Sequence, residues 1–117
     1  MKRIYRVEIL DCLNKSKSIK SYEILDFKSF ENGFYIKIKA IIINNTELFI
    51  REYTDEKERS YSYHWQDENK NLILRWDNAP HHSRIVTFPH HKHVKEKVKE
   101  NFNIDCFSII KEISSLI

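Results

Sequence analysis

The run Phe34-Tyr35-Ile36-Lys37-Ile38-Lys39-Ala40-Ile41-Ile42-Ile43 constrains the fold of this chain more than any other stretch. Phe34, Ile36, Ile38, Ala40 and Ile42 alternate with Tyr35, Lys37 and Lys39. A strand sends successive side chains to opposite faces, so this period of two predicts a strand with one apolar face and one mixed face. The apolar face has to be covered by another layer. Asn32-Gly33 stands just before the run and uses the only glycine in 117 residues. Asn-Gly tolerates the positive φ of tight hairpins, so a strand starting at Ile19 and ending near Phe30 is expected to turn back here.

The pattern continues downstream. Asn44-Asn45 supplies a turn, Leu48 to Tyr53 a strand, and Asp55 to Glu58 a charged loop. Ser60 to Gln66 alternates sharply, with Tyr61, Tyr63 and Trp65 on one side and Ser62, His64 and Gln66 on the other. Glu68-Asn69-Lys70-Asn71 is a turn, and Leu72 to Trp76 a further strand. Short turns between consecutive strands imply antiparallel pairing in chain order. Pro80 and Pro89 cannot donate to a ladder, which makes residues 78 to 91 an irregular or edge segment. At the ends the period changes. Ile4, Val7, Leu10 and Leu13 suggest a helix over residues 3 to 13. Ile104, Phe107, Ile110, Ile113 and Leu116 or Ile117 suggest a second, with Asp105 near its start.

The expected fold is therefore α+β. It has an N-terminal helix, an antiparallel sheet of about five strands in meander order, a His-rich irregular segment, and a C-terminal amphipathic helix packed on the sheet. One domain over residues 1–117 is expected at this length. The longest apolar run, Ala40 to Ile43, is too short to span a bilayer, so no membrane partner is expected. The basic start is interrupted by Glu8 and Asp11 and does not read as a signal peptide. Two separated cysteines, Cys12 and Cys106, fit a reducing cytoplasm and cannot form a four-cysteine zinc site.

Composition narrows the chemistry. One glycine cannot build a P-loop or a G-x-G-x-x-G turn, which removes both common nucleotide-binding loops. Net charge is +3 with histidine neutral, spread as +4 over residues 1–39, −3 over 40–79 and +2 over 80–117. That bias is compatible with nucleic acid without demanding it.

Histidine is the unusual residue. Five of the six lie between positions 81 and 93, in Pro80-His81-His82 and Pro89-His90-His91, with His93 beyond. Imidazole titrates near neutrality and suits proton transfer. His64 lies on the polar side of its strand. By strand parity Arg75 shares that side, where a guanidinium can clamp a phosphate or pair with a carboxylate. Asp77 can orient a histidine or cap a turn. Gln66 can hydrogen-bond an imidazole. Tyr63 is an acid–base or stacking candidate whose parity groups it with Trp65 and the core. Lys37, Lys39, Lys92, Lys95, Lys97 and Lys99 can track a nucleic-acid backbone or be solvated surface. A metal reading needs one His from each pair plus another, with His82, His91 and His93 as ligands, but the spacing fits no tight metal motif.

Three phrases together resemble the TumE family: Tyr61-Ser62-Tyr63-His64-Trp65-Gln66, Arg75-Trp76-Asp77-Asn78-Ala79-Pro80-His81-His82, and Thr87-Phe88-Pro89-His90-His91-Lys92-His93. Arg51-Glu52-Tyr53 fits the family's central strand. The resemblance covers roughly residues 20 to 117, and the first 18 residues carry no signature. It implies a toxin of a prokaryotic type II toxin–antitoxin module, neutralised by a co-encoded helix-turn-helix antitoxin and acting as a ribonuclease.

Residue roles follow from this sequence. The expectation is RNA cleavage by transesterification without a cofactor, a divalent metal being the alternative. One imidazole removes the 2′-hydroxyl proton and a second protonates the 5′-oxygen. His64, His82 and His91 come first, then His81 and His90, with Asp77 as orienting carboxylate. Arg75, helped by Arg51, stabilises the phosphorane-like charge. Tyr63, Gln66, Asn78, Lys92 and His93 join Arg51 as RNA-contacting candidates. Expected partners are RNA and the antitoxin, and a homodimer is compatible with the chain. Two other classes stay open: a non-catalytic His-rich module that holds a partner protein or structural metal, and nucleotidyl transfer to a cellular target.

Overall fold

The alternating segments pair as their periodicity demands. The computed structural model describes residues 5–78, 91–94, 97–100 and 104–117. Helix α1 (Tyr5–Lys15) leads into strands β1 (Ile19–Phe30), β2 (Gly33–Ile42), β3 (Glu47–Thr54), β4 (Arg59–Gln66) and β5 (Leu72–Asp77). Strands β6 (His91–Val94) and β7 (Lys97–Glu100) follow, then helix α2 (Cys106–Leu116). Every neighbouring pair is antiparallel, and the sheet order is β1-β2-β3-β4-β5-β6-β7. The first five strands are those expected. Of the segment expected to be irregular, the described residue His91 pairs with Asp77 in β6. Residues 79–90, which carry both prolines, lie outside the described residues.

One face of the sheet carries the core. Ile36, Ile38, Ala40 and Ile42 of β2 are fully buried, as are Leu48 and Ile50 of β3, with Tyr61, Tyr63 and Trp65 of β4 and Leu74 and Trp76 of β5 beside them. Each of these isoleucine and leucine side chains contributes roughly 1.5–3 kcal/mol when fully buried. The helices close this face. Helix α1 supplies Ile9, Cys12 and Leu13, and α2 supplies Cys106, Ile109, Ile110 and Ile113. In α1 the expected Leu13 is buried and Leu10 packs against the core, with Ile4 and the Val7 side chain outside the described residues; in α2 the buried stripe differs from the simple i, i+3 reading. Phe107 and Leu116 are half-exposed, while Cys106 and Ile109 face inward in an i, i+3, i+4, i+7 stripe. Asp105 caps α2 by accepting from the Ser108 amide at 2.7 Å, and the Ser108 hydroxyl returns the bond in a capping box. Cys12 and Cys106 meet where the helices touch, and both are free thiols.

The lone glycine has a different purpose from the expected one. The β1–β2 turn falls at Glu31-Asn32, yet among the described residues Asn45 and Lys70 are the non-glycine residues with positive φ, at 69° and 67°, and Gly33 does not join them. Gly33 is required by crowding instead. A Cβ there would sit 1.9 Å from the carbonyl oxygen of Thr54 on β3. No described helix is long and apolar enough to cross a membrane.

Candidate functional site

The face opposite the helices is polar, and register arranges it in transverse rows. Lys39, Phe49, His64, Arg75 and His93 occupy successive positions in one row across β2 to β6. Lys37, Arg51, Ser62, Asp77 and His91 occupy the next. Period-two patterning thus converts residues far apart in sequence into neighbours.

His64 is the centre of a continuous hydrogen-bonded chain. Its Nε2 lies 3.0 Å from Gln66 Oε1, and its Nδ1 lies 3.3 Å from Arg75 Nη1. Arg75 has only N–H donors, so Nδ1 must accept, which leaves the proton on Nε2 to be donated to Gln66. The tautomer is assigned by this network. Gln66 Nε2 in turn donates to Glu47 Oε1 at 2.8 Å, and Glu47 pairs with Lys39 at 3.3 Å. At the other end Arg75 Nε donates to Asp77 Oδ2 at 2.9 Å. The Asp77 side chain is only 5% exposed, against 37% for Arg75. The carboxylate is the fixed element, and the guanidinium reaches from it towards solvent.

The chain also sets the charge on His64. Partial burial holds its pKa below 6.5, the Arg75 charge pushes the same way, and the Gln66 bond opposes both. His64 is therefore neutral at pH 7. Glu47, by contrast, is held below the usual carboxylate range, first by its bond from Gln66.

A depression of about 240 Å³ opens over these rows, lined by Lys37, Phe49, Arg51, Ser62, His64 and Arg75 together with Ile50. Three of these side chains are cationic. Phe49 is the residue that periodicity could have revealed and composition hid. It alternates with Leu48 and Ile50, which puts an aromatic ring on the polar face, with the Lys39 ammonium 5.9 Å from its centre. Glu47 was legible by the same parity.

The other candidates divide. Tyr63 is completely buried on the helix side, where its hydroxyl donates to Glu52 Oε1 at 3.0 Å, so it does not join His64. Glu52 is itself buried and paired with Arg59, whose guanidinium stacks 4.3 Å from the Tyr61 ring and bonds to the Ile104 carbonyl. A second depression of about 150 Å³ lies there, lined by Glu52, Arg59 and the N-terminal residues of α2. Asn78 ties down β4, accepting from the Tyr61 amide at 2.9 Å and donating to the Arg59 carbonyl at 2.6 Å. Trp65 is core, its indole donating to Thr46. Register sets His91 opposite Asp77, Lys92 opposite Trp76 and His93 opposite Arg75. His81, His82 and His90 lie outside the described residues. Among the described residues, no group of three His, Cys, Asp or Glu converges as a metal site.

Comparison with known proteins adds the family. No curated protein and no solved structure matches the chain significantly. A family model described as Toxin TumE matches residues 9–117. The match spans all seven strands and the His64–Arg75 chain, and it supports a toxin role within a toxin–antitoxin module, with an antitoxin as partner. Since it covers well over half of the sequence, this chain belongs to the TumE family of toxins.

Proposed function

We propose that this toxin is an endoribonuclease that cleaves single-stranded RNA by metal-independent transesterification on the open face of the sheet. The observation that carries the reading is the neutral His64, held between Gln66 and a guanidinium anchored on Asp77 in a cationic depression. Phe49 offers a stacking surface for a base, and Lys37 and Arg51 offer charge to the backbone.

Arg75 links binding to activation. Nη2 has no partner among the described residues and is the donor available to a phosphate oxygen. As the phosphate draws the guanidinium towards itself, Nδ1 of His64 loses its donor and regains a free lone pair. That nitrogen then takes the proton of the 2′-hydroxyl, whose oxygen attacks phosphorus. The Gln66 carbonyl keeps hold of Nε2–H and supports the imidazolium. A second histidine protonates the departing 5′-oxygen, leaving a 2′,3′-cyclic phosphate. We assign this role to His91, which register sets opposite Asp77, with His82, His81 and His90 as the other candidates. Each positioned proton transfer is typically worth about 10²–10⁴ in rate.

The test is purified protein with RNA in EDTA. Cleavage ending in a cyclic phosphate, abolished by a 2′-deoxy nucleotide at the cut, is expected. Activity lost in chelator and restored by zinc or manganese removes the metal-free mechanism in favour of ligands such as His82, His91 and His93. Growth arrest without RNA cleavage points instead to nucleotidyl transfer or to binding alone.

A further inference from the structure

Strand β1 is the longest in the sheet and lies at its end. Its outer edge offers backbone donors and acceptors to any strand that fits. It is also apolar for such an edge: Ile24, Leu25 and Phe30 are 47%, 44% and 43% exposed. Leu25 is an extra residue between Ile24, paired with Ile38, and Asp26, paired with Lys37. This bulge decides which side chains share a face. Tyr22, Ile24 and Phe27 stand opposite the core residues Ala40, Ile38 and Ile36. Glu23, Asp26 and Lys28 stand opposite Lys39, Lys37 and Tyr35 on the polar face.

We propose that β1 pairs antiparallel with β1 of a second copy of this chain, about a two-fold axis at Asp26. Such an axis needs a self-complementary strand, and β1 is one. Ile24 meets Phe27 of the second copy on the helix side. Glu23 meets Lys28 of the second copy on the polar side. Both contacts occur twice, and the two bulges fall together beside the axis. Neither Glu23 nor Lys28 has an ion pair or side-chain hydrogen bond among the described residues, so both exposed charges are available to a second copy. Sliding one step in one direction sets Glu23 against Asp26. Sliding one step in the other sets Ile24 against Ser29 and Glu23 against Phe30. The chosen register has one like-charge contact, Asp26 against its own copy, beside Lys37 of each chain. The two cores then join through Ile24 and Phe27, and the open faces form one continuous surface.

Sedimentation velocity on the full chain tests this. A species of about twice the 14.2 kDa chain mass is expected at micromolar concentration. E23K or K28E alone should raise the dissociation constant about tenfold, since each converts two attractive cross-strand pairs into repulsive ones. The double variant E23K/K28E should return it to near the starting value, and D26N should tighten it. Circular dichroism checks that each variant is folded. A monomer throughout overturns the proposal. So does a dimer that the single charge reversals leave intact, or one that the double swap fails to restore. Protection of the β1 amides only when antitoxin is added would assign the edge to that partner instead.

Discussion

Two arginine–carboxylate pairs sit on opposite faces of the same sheet, and they do opposite things. Arg59 and Glu52 lie on the helix side, where Glu52 is 2% exposed and also accepts from Tyr63. Arg75 and Asp77 lie on the open side, where the carboxylate is buried but the guanidinium reaches the depression and His64. Their residue types are the same. The difference is the layer above them. Under the helices, the Arg59 guanidinium bonds Glu52 and the Ile104 carbonyl, and the pair holds β3, β4 and the chain before α2 together. On the face away from the helices, among the described residues, the arginine is held by Nε on Asp77 and by Nη1 on His64, and Nη2 is presented. An ion pair in a sequence therefore says little until the covered face is known.

The contrast can be broken most severely at Glu52. Glu52→Ala leaves the half-buried Arg59 guanidinium and the buried Tyr63 hydroxyl without their shared acceptor and should cost about 3 kcal/mol in urea denaturation. Asp77→Asn should cost about 1.5–3 kcal/mol, the scale of a hydrogen bond to a charged group, while removing activity. Equal losses in the two variants would make the two pairs equivalent and erase the distinction.

Arg75→Ala should lower RNA cleavage about 10²–10³-fold, as loss of one transition-state donor does, and, because it takes this donor from the buried Asp77 carboxylate, should lower stability by about as much as Asp77→Asn does. If Arg75→Ala unfolds the chain instead, the open-face pair is structural too.

The protonation of His64 gives a sharper, smaller signal. NMR titration should place its pKa below 6.5, chiefly because of burial. Arg75→Gln should move it up and Gln66→Ala should move it down, since the first opposes protonation and the second supports it. The unfolded chain binds the extra proton first. Stability from this group is thus present above pH 6.5 and is lost as pH falls through the folded value. His64→Gln should remove that slope. The smallest effect belongs to Lys37→Ala, a weaker RNA affinity with the slope of log K against log salt reduced by about 0.7.

Legibility followed the same division. Alternation revealed which side of β4 is buried, so Tyr63 and Trp65 were separable from His64 before any coordinates. It also put Arg75 on the same side of the sheet as His64. It allowed Gln66 to bond an imidazole but did not say that Glu47 would continue the chain, because parity gives a face and not a register. The glycine was located at the right turn for the wrong reason, since contact with Thr54 across β2 and β3 is invisible to local propensity. The buried stripe of α2 rotated from Phe107 to Cys106 and Ile109 because the sheet, not the helix, decides which residues it can receive. The histidine pairs at 81–82 and at 90 were legible as composition, and their geometry belongs to tertiary structure.

The order of the strands has a kinetic consequence. From β1 to β5 each ladder joins segments adjacent in the chain across a turn of a few residues, so each closes over a short loop and loses little entropy in doing so. The hairpins that carry His64 and Arg75 can form early and locally. The hydrophobic cover cannot, because α2 follows the entire sheet and brings Ile109, Ile110 and Ile113 last. Between these events the sheet has its polar surface assembled and its apolar surface bare. A chain caught there is the species most exposed to proteases and aggregation, and α2 is the element that ends the exposure.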